Sequence, residues 1–393
     1  MASIALLVVL FLCLSYYGVG GRMLAEEDDL ELEEQLKILN KPPRKTIETK
    51  YGDIFDCVDI ERQPAFDNPL LNNHKIRMRP TSSPKVMIHG TTSAHGQSRT
   101  MLKGIGACPQ GTVPIRRTRR EDLVRAKSFL RSHRAAYEPH IPGQFRALLR
   151  LGRTEMAIKH FGAGGHINVQ NPPVGPEQYS AALIWVESSP EPDLNAIHAG
   201  WQVSYELYND SRTRLFTYWE GNGPNNKGCY HHLCPGFVQI DKAHPIGQVI
   251  EPISKYGGDQ QELKLAIYQD PDTKDWWLLN TGLNIHYGYW PKALFPSLEG
   301  GAVQVAWGGL VKAGENKTNP PMGSGHFDGN FGHTCYFKEC QVFDEEGTPH
   351  DADISFTVKL ADNSECYDVN SNYITEENGY SFFFGGAGGH CGE

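Results

Sequence analysis

SAALIWVES (180–188), AGWQVSYEL (199–207) and RLFTYWEG (214–221) follow one another, separated by short connections carrying Pro, Asn and Asp. Each run is short, rich in β-branched and aromatic residues, and bounded by turn formers, so the three read as successive antiparallel strands. The same grammar continues outward: MAIKHF (156–161), HINVQ (166–170), GFVQI (236–240), ELKLAIYQD (262–270), DWWLLN (275–280), AVQVAWGG (302–309) and ISFTVKL (354–360). Many short strands spaced by turns predict an antiparallel β-sandwich or barrel. The 41 Gly and 25 Pro among 393 residues break the chain too often for an all-helical bundle.

Upstream of about residue 150 the text changes. An acidic stretch, Glu26 to Glu34, runs into Leu36, Ile38 and Leu39 and stops at Lys41-Pro42-Pro43, predicting a short helix. Residues 46–80 are polar and broken by proline, which suits an extended segment leaning on another body. A basic run, Arg116 to Arg134, opens with Thr118-x-x-Glu121 ahead of Leu123, Val124, Phe129 and Leu130; a capping box followed by apolar residues predicts a second helix. The acidic and basic runs are expected to attract each other. The chain is therefore read as mainly β, an antiparallel sandwich preceded by a smaller mixed region, with a signal peptide at 1–20 and divisions at 21–150 and 151–393.

The signal rests on Ala5–Leu14, ten uncharged apolar residues followed by Gly18-Val19-Gly20. Ten residues are too few to cross a bilayer, so export without a membrane span is expected. Export makes the eight remaining cysteines candidates for disulfides: Cys57, Cys108, Cys229, Cys234, Cys335, Cys340, Cys366 and Cys391. Proximity suggests Cys57–Cys108, Cys229–Cys234, Cys335–Cys340 and Cys366–Cys391, although sequence alone allows 105 pairings. Asn209-Asp210-Ser211 and Asn316-Lys317-Thr318 are sequons for glycosylation. A net charge of −9 argues against a nucleic-acid partner.

Cys229, His231, His232 and Cys234, with His326 and His333 downstream, have the residue types of a zinc site but not its paired spacing, and a disulfide loop is expected instead. No metal and no cofactor are expected. Aromatic residues are dense in the β region. Trp276 and Trp277 alternate along one strand, so one of them is expected to be exposed. Trp201, Gln202, Tyr218, Trp219 and Trp307 are expected to line a cleft for an extracellular peptide or glycan.

Other motifs have a family look. LNKPP (39–43), DCVDI (56–60) and QPAFDNPLL (63–71), then Cys108-Pro109 and VPIRR (113–117), resemble the activation peptide of the neprosin family of plant secreted proteins. AGWQV (199–203), Cys229-Tyr230, CPGFVQ (234–239), YGG (256–258), GYWP (288–291), WGG (307–309) and MGSGHF (322–327) resemble its C-terminal domain. The resemblance implies a protein of the extracellular space or cell wall. In it an N-terminal domain packs on a β-sandwich whose cleft cuts peptides after proline in acid, using two glutamates. The family places one glutamate immediately before AGWQV and the other immediately after WGG. Here those positions hold His198 and Leu310. Leucine carries no proton, and a histidine is a cation in acid rather than a carboxylate. The sequence therefore points to a family member without glutamic peptidase activity. The alternative is a proline-directed peptidase with a rebuilt acid/base pair, for which Glu187, Glu206 and Glu220 are the neighbouring carboxylates, each expected to point elsewhere.

Overall fold

The computed structural model describes residues 29–82, 84, 102–130, 143–151, 158–188, 194–221, 228–314, 316–375 and 378–391. The expected signal peptide, Arg131, Arg134 and the start of MAIKHF lie outside the described residues.

Two large antiparallel sheets form the body. The seven-stranded sheet runs β17 (Thr357–Ala361), β4 (Gln144–Leu151), β14 (Gln304–Lys312), β6 (Tyr179–Glu187), β7 (Ala196–Ser204), β8 (Arg214–Glu220), β9 (Cys229–Tyr230). The other runs β10 (Val238–Gln239), β13 (Ile285–Trp290), β12 (Trp276–Asn280), β11 (Glu262–Gln269), β5 (Gly162–Asn168), β15 (Tyr336–Phe343), β19 (Gly379–Gly385), β18 (Asp368–Thr375), with β16 (Pro349–Asp351) paired to β15. Strand β4 belongs to the large sheet although its sequence closes the 21–150 region.

The core between the sheets follows from strand parity. Along β7, Ile197, Ala199, Trp201 and Val203 point inward; along β6, Ala182, Ile184 and Val186 do, and along β14, Val305, Trp307 and Val311. They meet Leu263, Leu265, Ile267, Trp276 and Phe337 from the facing sheet. The even-numbered residues of β7 therefore face the other way.

The N-terminal region builds a three-stranded sheet, β1 (Pro43–Glu48), β2 (Ile54–Asp59) and β3 (Thr112–Arg116), flanked by helix α1 (29–39) and helix α2 (Arg120–Leu130). Leu32 and Leu39 of α1 pack on Leu123 of α2. As expected, the acidic and basic runs attract: Arg120 pairs with Asp29 and Lys127 with Glu31. The helix starts one step later than the Thr118 box implies. The Arg119 N–H donates to the Asp122 carboxylate at 2.8 Å, so Asp122 is the residue that reaches back.

Both Trp276 and Trp277 are fully buried, which corrects the expected exposure of one of them. Alternation holds: Trp276 enters the inter-sheet core, and Trp277 faces the opposite side. That side is covered by Ala65, Phe66 and Ile60 of the N-terminal region, which pack with Trp277 and Tyr289. The wrapping segment hides what a free sheet face would expose.

Disulfides join Cys57 to Cys108, Cys229 to Cys234 and Cys366 to Cys391. The fourth expected pair is corrected: Cys335 and Cys340 are free thiols, both buried. They are five residues apart along β15 and its lead-in, about 16 Å in an extended chain, and a bridge needs Cα atoms within about 7 Å. Among the described residues no helix is long and apolar enough to cross a membrane.

Candidate functional site on the outer face of the seven-stranded sheet

The face of the seven-stranded sheet turned away from the core is where His198 and Leu310 lie. Strand register orders this face into rows. Leu310 stands opposite Ala181, which stands opposite Gln202, which stands opposite Arg214. Gly308, Leu183, Gly200 and Phe216 form the next row on these strands, and Ala306, Trp185, His198 and Tyr218 the one after Trp185's same-face neighbour Leu183. His198 and Leu310 therefore share a face but not a row; they are two strands apart and offset by about 13 Å along the strands.

His198 is fully buried between Trp185 and Tyr218, with ring centroids at 5.9 and 5.1 Å. Its Nε2 lies 2.9 Å from Oε1 of Glu187, which is also fully buried. The second Glu187 oxygen accepts from the Gln304 amide at 3.2 Å. Tyr218 donates its phenol to Glu220 at 2.7 Å. Glu187, expected to point elsewhere, thus meets His198: they sit one row apart on adjacent antiparallel strands, close enough for two long side chains to join. Glu206 does turn away, accepting from Ser128 and pairing with Lys312 at 2.9 Å. Leu310 packs in an apolar cluster with Ala181, Leu183, Phe216 and, from α2, Ala126 and Phe129.

The expected cleft residues divide. Gln202 and Tyr218 are on the outer face. Trp201, Trp219 and Trp307 are corrected to the inter-sheet core. Trp201 and Trp307 donate their indole N–H to the carbonyls of Asn168 and Gly164 at 2.9 and 3.0 Å, which fixes both rings in place.

Helix α2 covers the outer face. The Phe129 ring lies 5.0 Å from Tyr179 of β6 and 5.0 Å from Tyr230 of β9, so it reaches across β7 and β8. A second tie is electrostatic. Asp53, in the β1–β2 turn, accepts from the fully buried Arg214 of β8 at 2.9 Å and from Arg116 at 3.1 Å. Between these contacts lies a cavity of about 20 Å³ lined by Arg116, Asp122, Tyr208, His231 and His232. Burial pushes the His232 ring down to about 3 and also holds His231 well below the usual histidine value. His326 and His333, far down the sequence, instead flank the exposed Tyr256, each with ring centroids 4.4 Å from it. The sequon asparagines Asn209 and Asn316 are exposed.

Sequence profiles settle the lineage. The profile described as Neprosin matches residues 176–387, and the one described as Neprosin activation peptide matches residues 46–158. The chain belongs to the neprosin family. The segment packed over the sheet through Phe129 and Asp53 is its activation-peptide region. Among solved structures, scytalido-glutamic peptidase with a transition state analog inhibitor is 10% identical, over 62% of this chain and 98% of that chain, with a TM-score of 0.32. SCP-B, a member of the Eqolisin family of peptidases in a complex with the tripeptide Ala-Ile-His, is 10% identical over 62% and 96%, with a TM-score of 0.30. Likenesses this remote bear on neither the site nor its chemistry.

Proposed function

We propose that this neprosin-family chain is an exported protein whose activation-peptide region covers a peptide-binding cleft on the outer face of the seven-stranded sheet, and that the cleft has no glutamic peptidase activity. The observation that carries this reading is Leu310, nearly buried among apolar side chains where the resemblance implies a carboxyl group. Peptide hydrolysis by a carboxyl pair needs one group to activate water and another to protonate the leaving amine. Leu310 supplies neither, and its same-face neighbours on β14, Gly308 and Lys312, carry no carboxyl group. A proline-containing or glycan ligand, glycosylation at Asn209 and Asn316, and removal of the first 20 residues belong to the same proposal, as does the division at about residue 150.

The test is turnover of a proline-containing fluorogenic peptide from about pH 2.5 to 8, before and after limited proteolysis of the N-terminal region. No turnover in either form agrees with the reading, and turnover at the rate of an active relative removes it.

One observation favours a second reading. Glu187 holds His198 by a hydrogen bond inside a site that excludes water. A histidine oriented by a carboxylate is a general base in many hydrolases, where the carboxylate fixes its tautomer and stabilises the imidazolium. This reading predicts turnover near neutral pH that is lost in His198→Ala and reduced in Glu187→Gln.

A further inference from the structure

A cavity of about 400 Å³ opens where the activation-peptide region leans on the other sheet, at the start of β12 and the end of β13. One wall comes from residues 69–77 and the other from residues 273–293, so the motifs QPAFDNPLL and GYWP meet at its rim. Its volume is that of a small-molecule site, about 300–1,000 Å³, and is more than a lone inorganic anion fills. The walls are fixed to each other. The Tyr289 hydroxyl accepts from the Arg77 main-chain N–H at 3.1 Å and lies 2.8 Å from Nε2 of His74. The phenol proton has no other acceptor among the described residues, so it is donated to Nε2, and the ring carries its own proton on Nδ1. Burial, which brings the pKa of His74 down to about 4, keeps the ring in that neutral form.

The acceptors on the walls are already taken. Asp275 is 1% exposed; its Oδ2 accepts from Nη1 of Arg77 at 2.6 Å and its Oδ1 from the Lys292 main-chain N–H at 2.9 Å. The Thr273 hydroxyl donates to Asp270 at 3.0 Å. What remains is donors. Arg77 gives Asp275 one of several guanidinium N–H groups. The Asn72 and Asn73 side chains make no hydrogen bond among the described residues, and Nζ of Lys292 meets only the exposed Glu299, at 3.7 Å. Two cations with no spare carboxylate between them select an anion, and side-chain amides, which both donate and accept, suit hydroxyls beside it.

We propose that this cavity binds a hydroxycarboxylate, either a sugar acid or an open-chain polyhydroxy acid, and that the bound acid holds the activation-peptide region against the β-domain. The carboxylate pairs with Arg77 and Lys292, and the hydroxyls with Asn72, Asn73 and the Nδ1–H of His74. This goes beyond the peptide-cleft reading and does not depend on it. Because Arg77 belongs to the activation-peptide region and Lys292 to the β-domain, the site exists only while the two are together. A ligand that binds only the joined form opposes its opening by mass action: at a concentration of 100 Kd the opened fraction falls about 100-fold.

The test uses the full chain, titrated by isothermal calorimetry with glucuronate and gluconate, and with glucose and acetate as controls. At least one of the two acids is expected to bind with a Kd below about 1 mM, and glucose and acetate at least about tenfold more weakly. Glucuronate alone assigns a sugar acid and gluconate alone an open-chain acid; either supports the proposal. Lys292→Ala should weaken binding about tenfold, the worth of one charge-assisted hydrogen bond. It should leave the Tm without ligand unchanged, because that side chain is 52% exposed and its main-chain N–H still reaches Asp275. At a saturating concentration the acid should slow limited proteolysis within the N-terminal region at least about tenfold in wild type, and less in Lys292→Ala. No binding of either acid at about 20 mM, equal binding of glucose or acetate, or an affinity that Lys292→Ala leaves unchanged overturns the site. Binding that does not slow proteolysis overturns the holding role. Failure of proline-containing peptides to bind or turn over would remove the cleft reading and leave this proposal standing.

Discussion

The two faces of the seven-stranded sheet are built from the same strands and differ by one residue in phase. On the inner face, Ala199, Trp201 and Val203 meet the other sheet, and the indoles of Trp201 and Trp307 are hydrogen-bonded while that of Trp219 is not. On the outer face, His198, Gln202 and Arg214 are just as buried, but beneath the activation-peptide region and in a mixture of paired and unpaired polar groups. Burial alone does not separate a core from a site. What closes each face does: the inner one is sealed by the chain's second sheet, and the outer one by Ala126 and Phe129 of the activation-peptide region.

The largest effect that this contrast predicts is on the inner face. Trp201→Ala should cost about 3–5 kcal/mol in urea unfolding, through an unfilled cavity and the loss of the indole donor to the Asn168 carbonyl. A loss under about 1 kcal/mol would mean that Trp201 is not a core residue. On the outer face, Asp53→Ala leaves the buried Arg214 with Asp210 as its remaining carboxylate partner. A cost of about 2–3 kcal/mol is expected, together with faster proteolysis within the N-terminal region. Unchanged proteolysis would break the claim that Asp53 ties the cover down.

A pH effect is smaller. His231 and His232 are buried beside Arg116, with their proton affinities lowered mainly by burial. Above the ordinary histidine value of 6.5 they are neutral in both the folded and the unfolded chain. Below it the unfolded chain takes up protons that the folded chain refuses, so stability falls as the pH drops from 6.5 towards about 3. Equilibrium unfolding of His232→Phe across that window should show a shallower fall than wild type; parallel curves would remove His232 as a source. The smallest effect has the opposite sign. The buried Gln202 amide makes no hydrogen bond among the described residues, so Gln202→Leu should gain about 1 kcal/mol in the intact chain, measured by the same unfolding.

Much of this was legible in the runs that alternate most clearly. β6, β8, β11, β12 and β14 fall where the sequence places them, because each pairs β-branched and aromatic residues with turn-forming flanks, whereas β7 starts three residues early and gives way at Ser204, whose hydroxyl caps a helical turn over Tyr205–Tyr208. Strands β4, β15, β18 and β19 were not read: FRALLRL sits in a basic context, and YFKECQVF carries a bulge between Lys338 and Gln341 that breaks the period. Local turns gave no warning that Cys335 and Cys340 lie along one extended segment. The faces of Trp201 and Trp307 were available from parity, since Ala199 and Val203 share the phase of Trp201 while His198 and Gln202 share the other. Aromatic density obscured that signal. The Glu187–His198 pair was out of reach, because it depends on the register between β6 and β7, which fixes Glu187 opposite Ala196.

The claim that the outer face has lost its glutamic chemistry is tested most directly by putting the carboxyl groups back. Wild type, His198→Glu, Leu310→Glu and the double variant should be assayed, after limited proteolysis, on one proline-containing fluorogenic peptide at acid pH. The account predicts no turnover by wild type or either single variant and measurable turnover by the double variant alone. Wild-type turnover equal to that of the double variant would contradict it.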